Sequence, residues 1–261
     1  MKEFEFLTLQ VADGVATITL NRPDVYNAFN DGLSYELQDA LKQVERDAAV
    51  RVVVLTGAGK AFCSGQDLKA SAGVENRSFA DSLHKRYNPI IRAMRNMPKP
   101  IVARVNGVAA GAGCSLALAC DIIVASEEAN FIEVFINIGL VPDSGSSFFM
   151  PRSISYAKAF EFCSMSSRVK ATEAAQIGLI NKAVPAEQLD EAVKAFTDYY
   201  AAAPTQSIGL IKKMLNKAQN SSLDDMLEYE AYCQEIAGRS HDYREGVNAF
   251  IEKRKPKFEG R

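Results

Sequence analysis

An α/β fold with a helical C-terminal region is what this 261-residue sequence predicts. Three observations point there. Up to about residue 150, short β-branched or apolar runs alternate with segments of helix length, the pattern of strands linked by helices. The run Ile101–Val105 turns through Asn106-Gly107, and Gly111-Ala112-Gly113 then leads into an apolar stretch over 116–119. That succession reads as a buried strand, a glycine turn and a buried helix. Beyond residue 201 helical periodicity stands alone, so the expected organisation is a core over 1–200 and a helical region over 201–261.

Taken in order, residues 4–11 and Val15–Leu20 are strand-like runs joined at Asp13-Gly14, a hairpin signal. Asn21-Arg22-Pro23 breaks the second run. Leu33, Leu37, Ala40, Leu41, Val44 and Ala48 mark the inner face of a helix, with Asn30 or Asp31 as its N-cap. Residues 51–56 form another buried strand, followed by a loop of small residues that ends in Gly65-Gln66-Asp67-Leu68. Residues 70–80 are loose and polar and are expected to form a mobile flap over a site. A helix is expected over 81–95, strands over 122–125 and 130–136, and a turn over 139–145. Helical pieces then cover 154–165, 171–177 and 186–201, with a short apolar run over 179–184. In the last sixty residues Ile208, Ile211 and Leu215 share a face, as do Leu223, Leu227 and Ala231, then Tyr243, Val247, Phe250 and Ile251. Tyr229, Tyr232 and Ile236 widen that apolar surface, which suits contact with a second subunit as well as packing on the chain's own core.

Composition excludes several classes. A hydrophobic share of 48 % and a charged share of 24 % are those of an ordinary globular protein. A net charge of −2 offers no basic surface for nucleic acid. The first residues alternate charge with apolar groups, unlike a signal peptide, and no apolar run is long enough to cross a bilayer. Five irregularly spaced cysteines read as reduced thiols of a cytoplasmic protein. Only His84 and His241 are present, without a Cys/His pair at ligand spacing, so no metal site is expected.

A strand that ends in glycines at a helix N-terminus presents backbone N–H groups and the positive end of the helix dipole. Such a place can hold an anionic oxygen, and equally it can be a close-packed junction. The surrounding motifs favour the first. Leu20-Asn21-Arg22-Pro23, residues 57–68, 105–121 and 139–147, and the C-terminal residues 244–254 resemble the enoyl-CoA hydratase/isomerase (crotonase) family over essentially the whole chain. The resemblance implies a spiral of ββα units, a C-terminal region used in trimers or dimers of trimers, an acyl-CoA substrate, and neither metal nor redox cofactor. It implies that the N–H groups of Gln66 and Ala112 hold the thioester oxygen as negative charge develops there. It also places Asp24, Ala28, Gly111 and the loop Gln66, Asp67, Leu68 and Lys69 along acyl-CoA, with Phe250 and Lys253 reaching adenine and phosphates, from a neighbouring subunit or the same one.

Carboxylates separate the family's reactions. Hydratases of the family carry two glutamates, where this chain has Ser115 and Phe135. Glu133 lies two residues before Phe135, on the same side if the segment is a strand; it can stand in for a missing glutamate, which keeps hydration as the alternative reaction, but a surface or intersubunit role is expected for it. Asp143 remains, in a turn ahead of Phe148-Phe149-Met150, where it can serve as a desolvated base or as a helix N-cap. One carboxylate suffices for double-bond isomerisation. Tyr87-Asn88-Pro89, residues 131–143 and Tyr243-Arg244-Glu245-Gly246 are similar to the phenylacetate-pathway isomerases that act on ring-1,2-epoxyphenylacetyl-CoA, as well as Δ3,Δ2-enoyl-CoA isomerases having an acid at this place. Phe135 suits an apolar, cyclic acyl group. Ser146-Ser147 departs from the more usual Gly plus Gly or Ser/Thr. Aryl-CoA dehalogenases of the family also place an aspartate here but need a tryptophan, and this chain has none. An RNA-binding relative uses a basic helix. The nearest equivalents, Lys85, Arg86, Arg92 and Arg95, read as a solvated helix face.

Overall fold

The computed structural model describes residues 3–71 and 78–261. The hairpin forms as expected: β1 (Leu7–Ala12) and β2 (Val15–Leu20) pair antiparallel, with Asp13 and Gly14 at φ 52° and 80°. Such left-handed values at both central residues match the twist of the flanking strands. Helix α1 (Asp31–Arg46) is capped by Asn30, whose Oδ1 accepts from the Leu33 N–H at 2.7 Å. Leu33, Leu37, Ala40, Leu41 and Val44 are buried beneath it, whereas Ala48 lies past the helix end and is exposed.

The chain then winds between two sheets. β3 (Val52–Gly57) enters the large sheet and β4 (Ala61–Cys63) the small one; β5 (Ile101–Val105) and β6 (Val108–Ala110) repeat the step, as do β7 (Ile122–Ser126) and β8 (Asn130–Ile132). The large sheet runs β1-β2-β3-β5-β7-β10 and the small one β4-β6-β8-β9, with β9 at Val169–Lys170 and β10 at Lys182–Val184. Each ββα turn therefore adds one strand to each sheet, and the parallel neighbours in the middle are apolar on both faces apart from the ends of β3, β5 and β7.

Between these turns lie α2 (Leu68–Ser71) and α3 (Phe79–Ser82), so the ends of the flap expected over 70–80 are helical. Its residues 72–77 lie outside the described residues. Helix α3 runs on through a π turn, Leu83–Tyr87, into α4 (Asn88–Asn96), longer than the 81–95 expected. Pro89 offers no N–H, and the helix widens just ahead of it, the Asn88 N–H reaching back to the Leu83 carbonyl.

α5 (Ala112–Leu118) is buried along its whole length. The strand expected over 130–136 stops at Ile132, and Val134–Ile138 form a 3-10 turn instead. α6 (Ser146–Ser153), α7 (Tyr156–Met165), α8 (Ala171–Gln176) and α9 (Leu189–Ala202) complete the core.

α10 (Thr205–Ala218), α11 (Leu223–Gly238) and α12 (His241–Ile251) follow. A partly buried ion cluster ties α10 to the core. Asp121 accepts from Lys212 Nζ at 2.6 Å, from Arg95 at 3.2 Å and from the Ile101 N–H at 2.9 Å. Arg95 is thus a structural cation and not part of a solvated face. The helical faces read from the sequence turn outward in the single chain: Ile211, Leu215, Leu223, Leu227, Val247, Phe250 and Ile251 are all exposed.

Candidate active site

Two glycine-rich loops meet because their side chains are small enough to let backbone touch backbone. A Cβ placed on Gly113 would sit 2.1 Å from the Cys63 carbonyl oxygen, so only glycine lets α5 approach β4 this closely. Gly65 has φ 92°, and a Cβ there would lie 2.8 Å from the Ala110 oxygen and 3.5 Å from the Ala112 nitrogen. Gln66 and Ala112 are thereby brought side by side. Ala112 opens α5, where backbone N–H groups have no partner within the helix. Gln66 is bridged to Phe29, its Nε2 donates to the Phe29 carbonyl at 3.0 Å, and its Oε1 accepts from the Tyr87 hydroxyl. The Gln66 side chain thus anchors its own backbone.

The remaining walls come from later turns of the spiral. Val134 and Phe135 lie against Gly111, at 3.1 and 3.7 Å from the position of a Cβ on it. The π turn buries Arg86, which binds Asp31 at 2.6 Å and stacks on Tyr87. Arg86 therefore does not belong to a solvated face, whereas Lys85 and Arg92 are exposed as expected.

Asp143 is half-buried, and its carbonyl oxygen accepts from Ser115 Oγ at 3.0 Å and from the Ser146 N–H at 3.1 Å. Ser115 sits one turn into α5, so the Asp143 turn is pinned to the helix that Ala112 begins. The N-cap of α6 is Gly145, at φ 90°, with no side-chain cap. The Asp143 carboxylate is left for another use. Burial pushes its pKa up, against a 2.7 Å hydrogen bond from Ser144 and the positive charge of Arg86.

Glu133 is the residue that the sequence reading placed wrongly. It is 0 % exposed, not at a surface, because the chain leaves the strand at Ile132 and turns inward. Its Oε1 accepts from Ser146 Oγ at 2.8 Å, its Oε2 is buried without an N–H or O–H donor, and burial raises its pKa to about 8 against hydrogen bonds from Ser146 and the Cys114 thiol. The signal in the sequence was Ser146 itself, the departure from the usual glycine, whose hydroxyl is what reaches Glu133.

The other expected site residues are more scattered. Asp24 is exposed in a 3-10 turn, Pro23–Val25, and Ala28 is buried beside it. Asp67 pairs with Arg22 at 3.0 Å, while Leu68 and Lys69 are exposed at the start of α2. Phe250, 86 % exposed, borders a groove with Tyr243, Val247 and Phe258, and Lys253 follows α12; that groove's lining includes neither of the two loops.

Comparison with known proteins identifies the family. The profile of the enoyl-CoA hydratase/isomerase family matches residues 10–261. The chain is 42 % identical over 260 residues to the 1,2-epoxyphenylacetyl-CoA isomerase of Escherichia coli K12, covering 98 % of this chain and 99 % of that one. It is 36 % identical to the mitochondrial enoyl-CoA hydratase of Pongo abelii, over 94 % of this chain and 83 % of that one. A crystal structure of an enoyl-CoA hydratase from Mycobacterium smegmatis superposes with a TM-score of 0.92 at 31 % identity, covering 97 % and 99 % of the two chains. The chain belongs to the enoyl-CoA hydratase/isomerase family, and its fold is that family's crotonase fold.

Proposed function

We propose that this protein is an acyl-CoA isomerase that moves a carbon–carbon double bond relative to the thioester. Asp143 takes a proton from the α or γ carbon, and the bonding pair flows into the thioester to give an enolate. The N–H groups of Gln66 and Ala112 hold the enolate oxygen, each worth about 3 kcal/mol to the transition state. Asp143, now the acid, returns the proton at the other end of the unsaturated system. The observation that carries this reading is a half-buried Asp143 that is fixed to α5 through its carbonyl while its carboxylate caps no helix. A raised pKa makes that carboxylate a better base.

Ser115 and Phe135 occupy the two glutamate positions of the family's hydratases, and neither exchanges a proton near neutral pH. Hydration has one observation in its favour, the second carboxylate of Glu133, but at 0 % exposure it offers no surface to substrate or water. The apolar wall of Phe135 suits a bulky acyl group, and the likeness to the Escherichia coli isomerase favours ring-1,2-epoxyphenylacetyl-CoA, with 3-enoyl-CoA esters as simpler substrates. Asp24, Ala28, Asp67, Leu68 and Lys69 would follow the pantetheine. The exposed apolar faces of α10 to α12 support a trimer or a dimer of trimers, in which Phe250 and Lys253 reach a neighbour's CoA. Offering the purified protein a 3-enoyl-CoA and a 2-enoyl-CoA tests the reading: isomerisation of the first should outpace hydration of the second, and the reverse order would refute it.

A further inference from the structure

Glu133 is a buried acid that the proton transfer above does not use. It ends a chain of hydroxyls that runs to the catalytic turn. Ser146 Oγ is 2.8 Å from Glu133 Oε1, Ser115 Oγ is 2.6 Å from Ser146 Oγ, and the Asp143 carbonyl oxygen is 3.0 Å from Ser115 Oγ. Ser115, Ser146 and Glu133 are all fully buried.

Each serine has a single hydroxyl proton, so the direction of the chain is a matter of counting. When Glu133 is ionised, it can only accept, and the Ser146 proton is committed to it. The 2.6 Å contact between the two hydroxyls then requires the Ser115 proton, and nothing is left for Asp143. When Glu133 is protonated, it donates to Ser146, Ser146 donates to Ser115, and the Ser115 proton is released to the carbonyl oxygens of Asp143 and Gly111, the latter at 3.2 Å.

We propose that Glu133 is a positioning residue: with its proton in place it turns both hydroxyls so that Ser115 donates to the Asp143 carbonyl, and ionisation withdraws that donation from the catalytic turn. The inference rests on the reading of Asp143 as the proton carrier. Oε2 has no N–H or O–H donor, and the Cys114 thiol gives Glu133 only a weak S–H donor; this agrees with a neutral acid, since a buried carboxylate oxygen so poorly satisfied costs more than a carbonyl oxygen. Burial is the main cause that lifts the Glu133 pKa to about 8, and the charge of Asp143 adds to it. The other titratable groups facing Glu133 are Cys114 on α5 and Cys163 on α7. Burial holds the first thiol well above its ordinary value and the second at about 11, so both stay neutral where Glu133 titrates.

The test is the pH dependence of 3-enoyl-CoA isomerisation, each enzyme compared with its own plateau. For the unaltered protein, kcat should fall about tenfold between about pH 7 and about pH 9, with KM moving less. Glu133→Gln, a permanent donor, should lack that alkaline limb. So should Ser146→Ala, in which Ser115 has no hydroxyl neighbour and donates to Asp143 at every pH; it serves if the glutamine variant does not fold. A limb kept in both variants, or missing from the unaltered protein, overturns the proposal. Isomerisation that survives Asp143→Asn would sink the proton-carrier reading instead. The proton on Glu133 is then read directly by infrared spectroscopy, as a carboxylic-acid C=O band present at neutral pH and absent from Glu133→Gln. Finding that band supports the hydroxyl chain, and its absence overturns it.

Discussion

Residues 101–121 and residues 130–147 build opposite kinds of wall around the proposed active site. The first segment works through its backbone: Gly113 lets α5 touch the main chain at Cys63, and the Ala112 side chain matters less than where its N–H group lies. The second works through side chains, with Phe135, Glu133, Asp143 and Ser146 each in a distinct environment. The difference teaches where the reaction is set.

Ways to break this contrast run from large effects to small. Replacing Asp143 by Asn removes the carboxylate proposed to carry the proton and leaves the backbone wall intact. Isomerisation should fall about 10²–10⁴-fold while CoA-ester binding, followed by calorimetry, changes little. The second effect is on stability. Glu133 has a folded pKa of about 8 against an ordinary 4.5, so the folded state holds its proton more tightly than the unfolded state. The resulting stability is fully present below about pH 4.5 and is lost as pH rises through about 8, a decline on the order of 4 kcal/mol. Denaturant midpoints at about pH 5 and about pH 8.5 should show the decline in the unaltered protein and a smaller one in Glu133→Gln. Gly113→Ala attacks the other wall: its Cβ overlaps the Cys63 carbonyl, which should cost about 1–3 kcal/mol and spread the two N–H groups apart. Tyr87→Phe deletes only the hydroxyl that holds Gln66, and about 1 kcal/mol of stability, with a few-fold loss of kcat, should go with it.

The same contrast explains what was legible in the sequence. The Asp13-Gly14 hairpin, the Asn30 cap and the glycine junctions are written in adjacent residues, and the structure has each of them. The position of Glu133 was not legible, because its burial depends on Ser146 thirteen residues on and on the strand ending at Ile132. Arg86 was hidden for a related reason. A helix of ordinary pitch gives no hint of the π turn that Pro89 provokes, and that turn carries Arg86 inward. The outward faces of α10 to α12 were read correctly as apolar. Periodicity alone cannot say whether such a stripe meets the chain's own core or something beyond it.

The central claim is that one carboxylate both removes and returns the proton, and the path of that hydrogen tests it most directly. A 3-enoyl-CoA deuterated at the α carbon, turned over once in ordinary water, should yield product carrying deuterium at the γ carbon in a measurable fraction of turnovers. Product with solvent hydrogen at the γ carbon in every turnover would show that the abstracted hydrogen is not carried across, and would contradict the account.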